Sequence, residues 1–321
     1  MRFAIICAVG TEKIALEEIS SIASISAIEI LPGVAFFEAE DDADFSMART
    51  VEDIMVLVKR LSGISRHRAS LRAIRHQAAK IPLKYLSIKL SVKASYTGRR
   101  DYTAKDVEAE FIKGVSTRID GKTATERHFS IILNEKNSFI GVSVHPMPLH
   151  VERSMPKTSA GSLRPSIACA MLRQLGDING KSMVDLMAGA GTIPIEASIM
   201  GCRSEGYDID EEKIGIAKSN AMHFSRDVIF RKADARDTGL PAKSFDFAVS
   251  NLPFEKQVAI GDDPALFFQQ VLAEMSRIAR EKIVVLTRHQ DIINQVAGDR
   301  VLSVHAIQNS GVGSEIIVMR P

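Results

Sequence analysis

From Ser166 to the C-terminus the sequence repeats one unit, a short strand-like run followed by a stretch with helical spacing. The runs are "SMVDLMAG", "RSEGYDID", "VIFRKAD", "FDFAVSNLPF" and "EKIVVLT", roughly 20–40 residues apart. Consecutive strands lie parallel only when a crossover, usually a helix, returns the chain to its starting edge. The rhythm therefore predicts a doubly wound α/β fold with a mostly parallel sheet. "RVLSVHAIQN" and "SEIIVMRP", joined by "SGVG", read as an antiparallel hairpin at one edge. Sheets of this kind bind ligands beyond the carboxyl ends of their strands, so the residues found there are the candidates for function.

The first 150 residues have a different texture, that of an α+β unit. Strand, helix, strand is the reading of "FAIICAV", "EKIALEEISSIA" and "AIEILPGVAFFEAE", and acidic "EDDAD" closes this part at Asp44. "FSMARTVEDIMVLVKRLSG" has helical spacing up to Gly63. A helix over Ser70–Lys80 would bury Leu71, Ile74, Ala78 and Ile81, leaving Arg72, Arg75, His76 and Lys80 outside. "YLSIKLSVKASY" alternates at period two, as a half-buried strand does, with Lys89 and Lys93 outward. A helix (Lys105–Arg118) and two strands, "FSIILNE" and "FIGVSVH", follow. The proline-rich 151–165 reads as a linker. The expected division is 1–44, 45–150, the linker, and 166–321.

Charge is unevenly spread. Residues 59–100 hold twelve Lys or Arg and no Asp or Glu. Residues 1–165 hold 24 basic and 19 acidic residues, and the remainder holds 17 and 20. A basic stretch of this size points to phosphate as its partner, although a solvated face paired with acids from elsewhere in the fold has the same composition. Three scattered cysteines, Cys7, Cys169 and Cys202, argue against a disulfide framework or zinc site and suit a reducing cytoplasm. The eight histidines show no ligand spacing, so no metal is expected. The N-terminus reads as strand and helix rather than a signal peptide, and no run reaches the ~18 apolar residues of a membrane span.

"VDLMAGAGTIPIEAS" is strand, glycine turn and helix. Gly189 and Gly191 allow close backbone approach to a ligand, but Pro194 stands where a dinucleotide fingerprint wants glycine. Taken alone, this is equally a tight turn with no ligand. Asp185 at the strand end repels a pyrophosphate and can pair with an amino group. S-adenosyl-L-methionine (SAM) has that amino group and no phosphate. Asp208 ends the next strand, at the spacing of a ribose-binding carboxylate, and Asp210 fits the following helix cap better. Asp234 ends the third strand, where it could accept from an adenine amine or merely form a turn.

Asp185-x-x-x-Gly189-x-Gly191, Asp208, Asp234 and "NLPF" resemble, in this order, the motifs of SAM-dependent Rossmann-fold methyltransferases. With "GSLRPSIACAML" and the basic α+β unit, the chain more narrowly resembles the THUMP-domain tRNA guanine-N2-methyltransferases. The resemblance implies a Rossmann-like methyltransferase domain over 166–321, a ferredoxin-like part over 1–44, and a THUMP RNA-binding domain over 45–150. It implies SAM contacts from Arg164, Ser166, Asp185, Gly189, Gly191, Thr192, Ile193, Asp208, Ile209, Asp234 and Ala235. RNA contacts would come from Arg66, Arg68, Arg72, Arg75, Lys80, Lys89, Lys93, Arg99 and Arg100, with the THUMP unit holding the tRNA 3′ end. Recognition would then rest mainly on shape and backbone.

The catalytic candidates are Asn251, Leu252, Pro253 and Phe254. An aromatic amine such as guanine N2 is a poor nucleophile because its lone pair is delocalised into the ring. Asn251 Oδ1 and the Leu252 carbonyl would accept from its two N–H bonds and favour a pyramidal amine, Pro253 would stiffen the turn, and Phe254 would stack on the base. No strong general base is needed before attack. Leu252 replaces the family's usual first proline, and Glu255 its usual glycine. Two alternatives stay open: adenine N6 of RNA or DNA as the methyl acceptor, and a catalytically weak RNA-binding subunit. No membrane partner is expected, and the need for an activating protein partner is left open.

Overall fold

The computed structural model describes residues 1–116, 118–119, 126–134, 137–159, 161–253, 264–309 and 311–321. It divides into two compact units, Met1–Ile6 with Ile19–Glu152, and Cys7–Glu18 with Arg153–Pro321.

The first unit begins with β1 (Arg2–Ile6), α1 (Glu12–Ile22), whose first part belongs to the second unit, β2 (Ser26–Leu31), β3 (Val34–Glu38) and β4 (Asp53–Leu61). α2 (Ser70–Ala78), β5 (Leu90–Tyr96), α3 (Ala104–Ser116), β6 (Arg127–Leu133), β7 (Ser138–Ser143) and α4 (Leu149–Glu152) follow. Its sheet runs β2-β3-β1-β4-β7-β6-β5. Only the β5–β6 pairing is parallel among its described strands. Leu71, Ile74 and Ala78 of α2 and Val107 and Phe111 of α3 pack with Phe129, Ile131 and Ile140 of the sheet.

Two sequence expectations change here. The helix expected over 45–63 is in fact β4 at its C-terminal end. Its Ile54 and Met55 are fully buried between β1 and β7, a central position that suits a continuous apolar run better than an amphipathic helix does. The single strand expected over 27–40 is a hairpin, β2 and β3, turning at Pro32 and Gly33. The boundary expected at residue 44 does not part the structure, because β1 pairs with β3 on one side and β4 on the other.

The second unit contains α5 (Pro165–Arg173), β8 (Ser182–Asp185), α6 (Thr192–Ile199), β9 (Arg203–Asp208), α7 (Glu211–His223) and β10 (Ile229–Lys232). It continues with β11 (Phe245–Asn251), α8 (Pro264–Ile278), β12 (Ala279–Thr287), α9 (Gln290–Ala297), β13 (Val301–Asn309) and β14 (Val312–Met319). The strand order is β10-β9-β8-β11-β12-β14-β13. β8 to β12 pair in parallel, and the β13–β14 hairpin joins antiparallel at the edge. One face is covered by Ile167 and Met171 of α5 and Ile193 of α6, the other by Phe268 and Leu272 of α8 and Ile293 of α9. Strand order reverses between β8 and β11, which is the switch point where such sheets open a crevice. The stretch expected as a linker joins this unit from Arg153, since Met155 is buried with Ile195, Ile214 and Phe230, and Leu163 beside Ile167.

Candidate active site

Asp185, Asp208 and Asn251 are the last residues of β8, β9 and β11, and Asp234 lies two residues past β10. Their strands are neighbours, so residues far apart in sequence converge on one cleft of about 1140 Å³, measured out to its open mouth. Its wall includes Gly189, Thr192, Ile193, Ile209, Ala235, Leu252 and Pro253 as well as the four polar residues.

Gly189 and Gly191 form the turn between β8 and α6, both with left-handed backbone (φ +52° and +85°). Among the described residues a Cβ on Gly189 would meet only Ser159 Oγ, at 3.9 Å, so the turn leaves room for a ligand there. A Cβ on Gly191 would lie 2.9 Å from Phe230 Cζ and 3.0 Å from Ala217 Cβ. The two glycines thus differ in purpose: Gly189 opens the cleft, and Gly191 lets the turn pack behind it.

The Asp185 carboxylate is buried. Its Oδ1 accepts from Ser250 Oγ at 2.7 Å and from the Met187 N–H at 3.0 Å. Burial pushes its pKa up to about 7 against those two hydrogen bonds, and the charge of Asp208 raises it further. Asp208 accepts from the Gly189 N–H (2.9 Å) and the Asp210 N–H (3.0 Å), tying the glycine turn to the end of β9. Lys213 Nζ stands 4.0 Å from it. Asp210 caps α7 by accepting from the Glu212 N–H. The Asp234 carboxylate is held by the Arg236 guanidinium and backbone N–H, which lower its pKa, so it meets the cleft as half of an ion pair. Ile209, although apolar, is 58% exposed at the cleft. Such a surface suits a flat ring.

Asn251 donates from Nδ2 to the Gly161 carbonyl at 3.3 Å. Its Oδ1 is buried and has no hydrogen-bond partner among the described residues. The Leu252 N–H donates to the Leu286 carbonyl at 2.9 Å and prolongs the β11–β12 pairing one residue past Asn251. Phe254, like Glu255, lies outside the described residues.

Three expected cofactor residues stand off the cleft wall: Gly191 behind it, Arg164 with Nη2 3.5 Å from the Gln308 carbonyl, and Ser166 buried on α5. Four residues escaped sequence reading, namely Gly161, Asn220, Arg236 and Ser250. Asn220 alone had a signal, being a polar residue on the buried stripe Ile214, Ala217, Ala221 of α7. In the first unit, Arg66, Arg72, Lys80, Lys89, Lys93 and Arg99 are exposed with no ion-pair partner among the described residues. Arg68 and Arg75 approach Asp106 and Glu110, and Arg100 is engaged by the Ser65 carbonyl and Tyr102 hydroxyl.

Residues 153–316, just over half of the chain, match the UPF0020 family, described as RMKL-like, methyltransferase domain. The chain is 32% identical over 154 residues to a tRNA (guanine(6)-N2)-methyltransferase of Thermus thermophilus, covering 45% of each. It is 28% identical over 202 residues to the human U6 snRNA (guanine-N(2))-methyltransferase THUMPD2, covering 60% of this chain and 38% of that one. The chain spans less than half the length of either curated relative. The crystal structure of TrmN from Thermus thermophilus superposes with a TM-score of 0.77 at 20% identity over 99% of both chains, a likeness of fold.

Proposed function

The chain belongs to the family of RMKL-like methyltransferase domains, and from that premise we propose that it is a SAM-dependent RNA methyltransferase acting on guanine N2 of tRNA. The single observation that carries the reading is Asn251 Oδ1, buried and without a hydrogen-bond partner among the described residues, on a residue that lines the switch-point crevice. A buried acceptor without a donor costs about 1–3 kcal/mol, and an exocyclic amine brings the missing N–H.

The residues present fit SAM. The cleft offers carboxylates rather than a phosphate cradle, and Gly189 leaves space beside them. Asp185 would hold the amino group, Asp208 the ribose hydroxyls, and Ile209 and Ala235 the adenine faces, with Asp234 at the adenine edge. The bound cofactor supplies a methyl group already activated on a sulfonium. Asn251 Oδ1 and the Leu252 carbonyl orient the amine by accepting its two N–H bonds, and Pro253 stiffens the chain between strand end and base. Positioning of this kind lowers the barrier by holding the reacting atoms in line. The exposed Arg66, Arg72, Lys80, Lys89, Lys93 and Arg99 would hold the RNA backbone, as the resemblance to THUMP proteins implies, and the named relatives that act on guanine N2 support the choice of base.

The test is nucleoside mass spectrometry of bulk tRNA after incubation with isotopically labelled SAM. N2-methylguanosine is the expected product. Label on adenine N6 would move the same chemistry to another base. Tight SAM binding with no transfer to any RNA would make the chain a binding subunit.

A further inference from the structure

Asn251 can serve as an acceptor only if its amide is turned the right way, and an unrestrained amide turns either way about its last torsion. The restraint here is the Gly161 carbonyl, which takes Nδ2 and leaves Oδ1 facing outward from that bond. Gly161 belongs to a strap whose described residues are 157–159 and 161–163, and of these Ser159, Gly161, Ser162 and Leu163 wall the cleft. These described residues form no helix or strand, so what holds them decides where the Gly161 carbonyl sits.

Two attachments hold its near end. Met155 is buried among Ile195, Ile214 and Phe230. Asn220 of α7, fully buried, binds Lys157 twice: Oδ1 accepts from the Lys157 N–H at 3.0 Å, and Nδ2 donates to the Lys157 carbonyl at 2.8 Å. The same Nδ2 donates to the Ala190 carbonyl in the glycine turn at 2.9 Å. Further along, Ser159 and Ser162 bind each other, the Ser159 N–H to Ser162 Oγ at 2.7 Å and the Ser162 N–H to the Ser159 carbonyl at 3.0 Å. Leu163 then enters the core beside Ile167. One buried amide thus joins the strap to the glycine turn, and the strap joins the glycine turn to Asn251.

We propose that Asn220 is a positioning residue for methyl transfer, which through the strap holds the Gly161 carbonyl where it turns Asn251 Oδ1 toward the incoming amine. This rests on the reading of the cleft as a methyl-transfer site. Asn220 touches neither substrate nor cofactor and acts through Asn251.

The test is a double-mutant cycle on the full chain with Asn220→Ser and Asn251→Ala, reading single-turnover methyl transfer to tRNA. Asn220→Ser lowers the rate about tenfold when Asn251 is present and less than about twofold when it is already alanine, because the two act as a unit. An equal factor in both backgrounds means a merely structural role and overturns the proposal. Asn220→Asp, which keeps the acceptor for the Lys157 N–H but loses both donors, replaces the serine variant if that one fails to fold. A second readout needs no activity. The side-chain NH₂ of Asn251, observed by ¹⁵N NMR, exchanges slowly in the wild type and faster in the Asn220 variant. Unchanged exchange refutes the proposal even if the wild type transfers no methyl group, an outcome that would instead count against the functional reading.

Discussion

Burial raises the pKa of Asp185, and a cationic ligand would oppose that shift. Its pKa of about 7 lies far above the 3.8 of a free aspartate. In the ligand-free protein this raised value favours folding most below about pH 4, and the contribution is lost as pH rises through about 7. A bound ammonium favours the carboxylate, so SAM binding should release a proton below pH 7 and tighten as pH rises from about 5.5 to 7. The approach is to tenfold per unit, until the ligand's own amine titrates near 7.7–8.0. Calorimetry in two buffers of different ionisation enthalpy detects the proton, and Asp185→Asn should abolish the pH dependence. Affinity independent of pH in the wild type would break the proposed pairing. Gly191→Ala places a methyl 2.9 Å from Phe230 at φ +85° and should lower stability by about 1–3 kcal/mol in urea melts. At this scale the sequence is legible where a residue ends a strand or caps a helix. Asp210 could be told from Asp208 because only one position fits the cap. The Asp234–Arg236 pair and the partners of Asn220, whose place on a buried stripe is itself legible, are not, since they depend on where side chains meet in space.

Among the elements, the parallel strands and their helices could be read because each alternates with a run of different period. The β4 sequence "DIMVLVKRL" satisfies helix and strand patterns equally, and only its burial between β1 and β7 decides for the strand. The first residue of β4, Asp53, is buried at 4% exposure and accepts from Ser143 Oγ at 2.8 Å and from the Ile54 N–H. Burial pushes its pKa up to about 6, so its contribution to stability is full below about pH 4 and is lost as pH rises through about 6. Asp53→Asn keeps an acceptor for Ser143 and should flatten stability between pH 4 and 7, with a gain at pH 7 on the order of 2 kcal/mol. Chemical denaturation across that range checks it, and an unchanged pH profile would assign the charge a different environment.

For the whole molecule, the order β10-β9-β8-β11-β12-β14-β13 follows from the sequence only as a class, because periodicity tells which segments are strands and not which of them are neighbours. The basic stretch is visible as composition, but which of its cations are engaged within the fold, as Arg100 is by the Ser65 carbonyl and the Tyr102 hydroxyl, depends on tertiary contacts. If the six cations without an ion-pair partner among the described residues meet phosphates, log affinity for tRNA should fall with log salt at a slope near −4 to −5. Replacing Arg72 and Lys80 by alanine should then reduce the slope by about 1.5, and an unchanged slope would place the RNA elsewhere. The central claim is that Asn251 presents an acceptor to the amine being methylated. It is tested most directly by labelled methyl transfer from SAM to unfractionated tRNA, comparing the wild type with Asn251→Ala at saturating SAM. The account predicts undiminished SAM binding and turnover reduced at least ~10²-fold in the variant; full turnover in Asn251→Ala would contradict it.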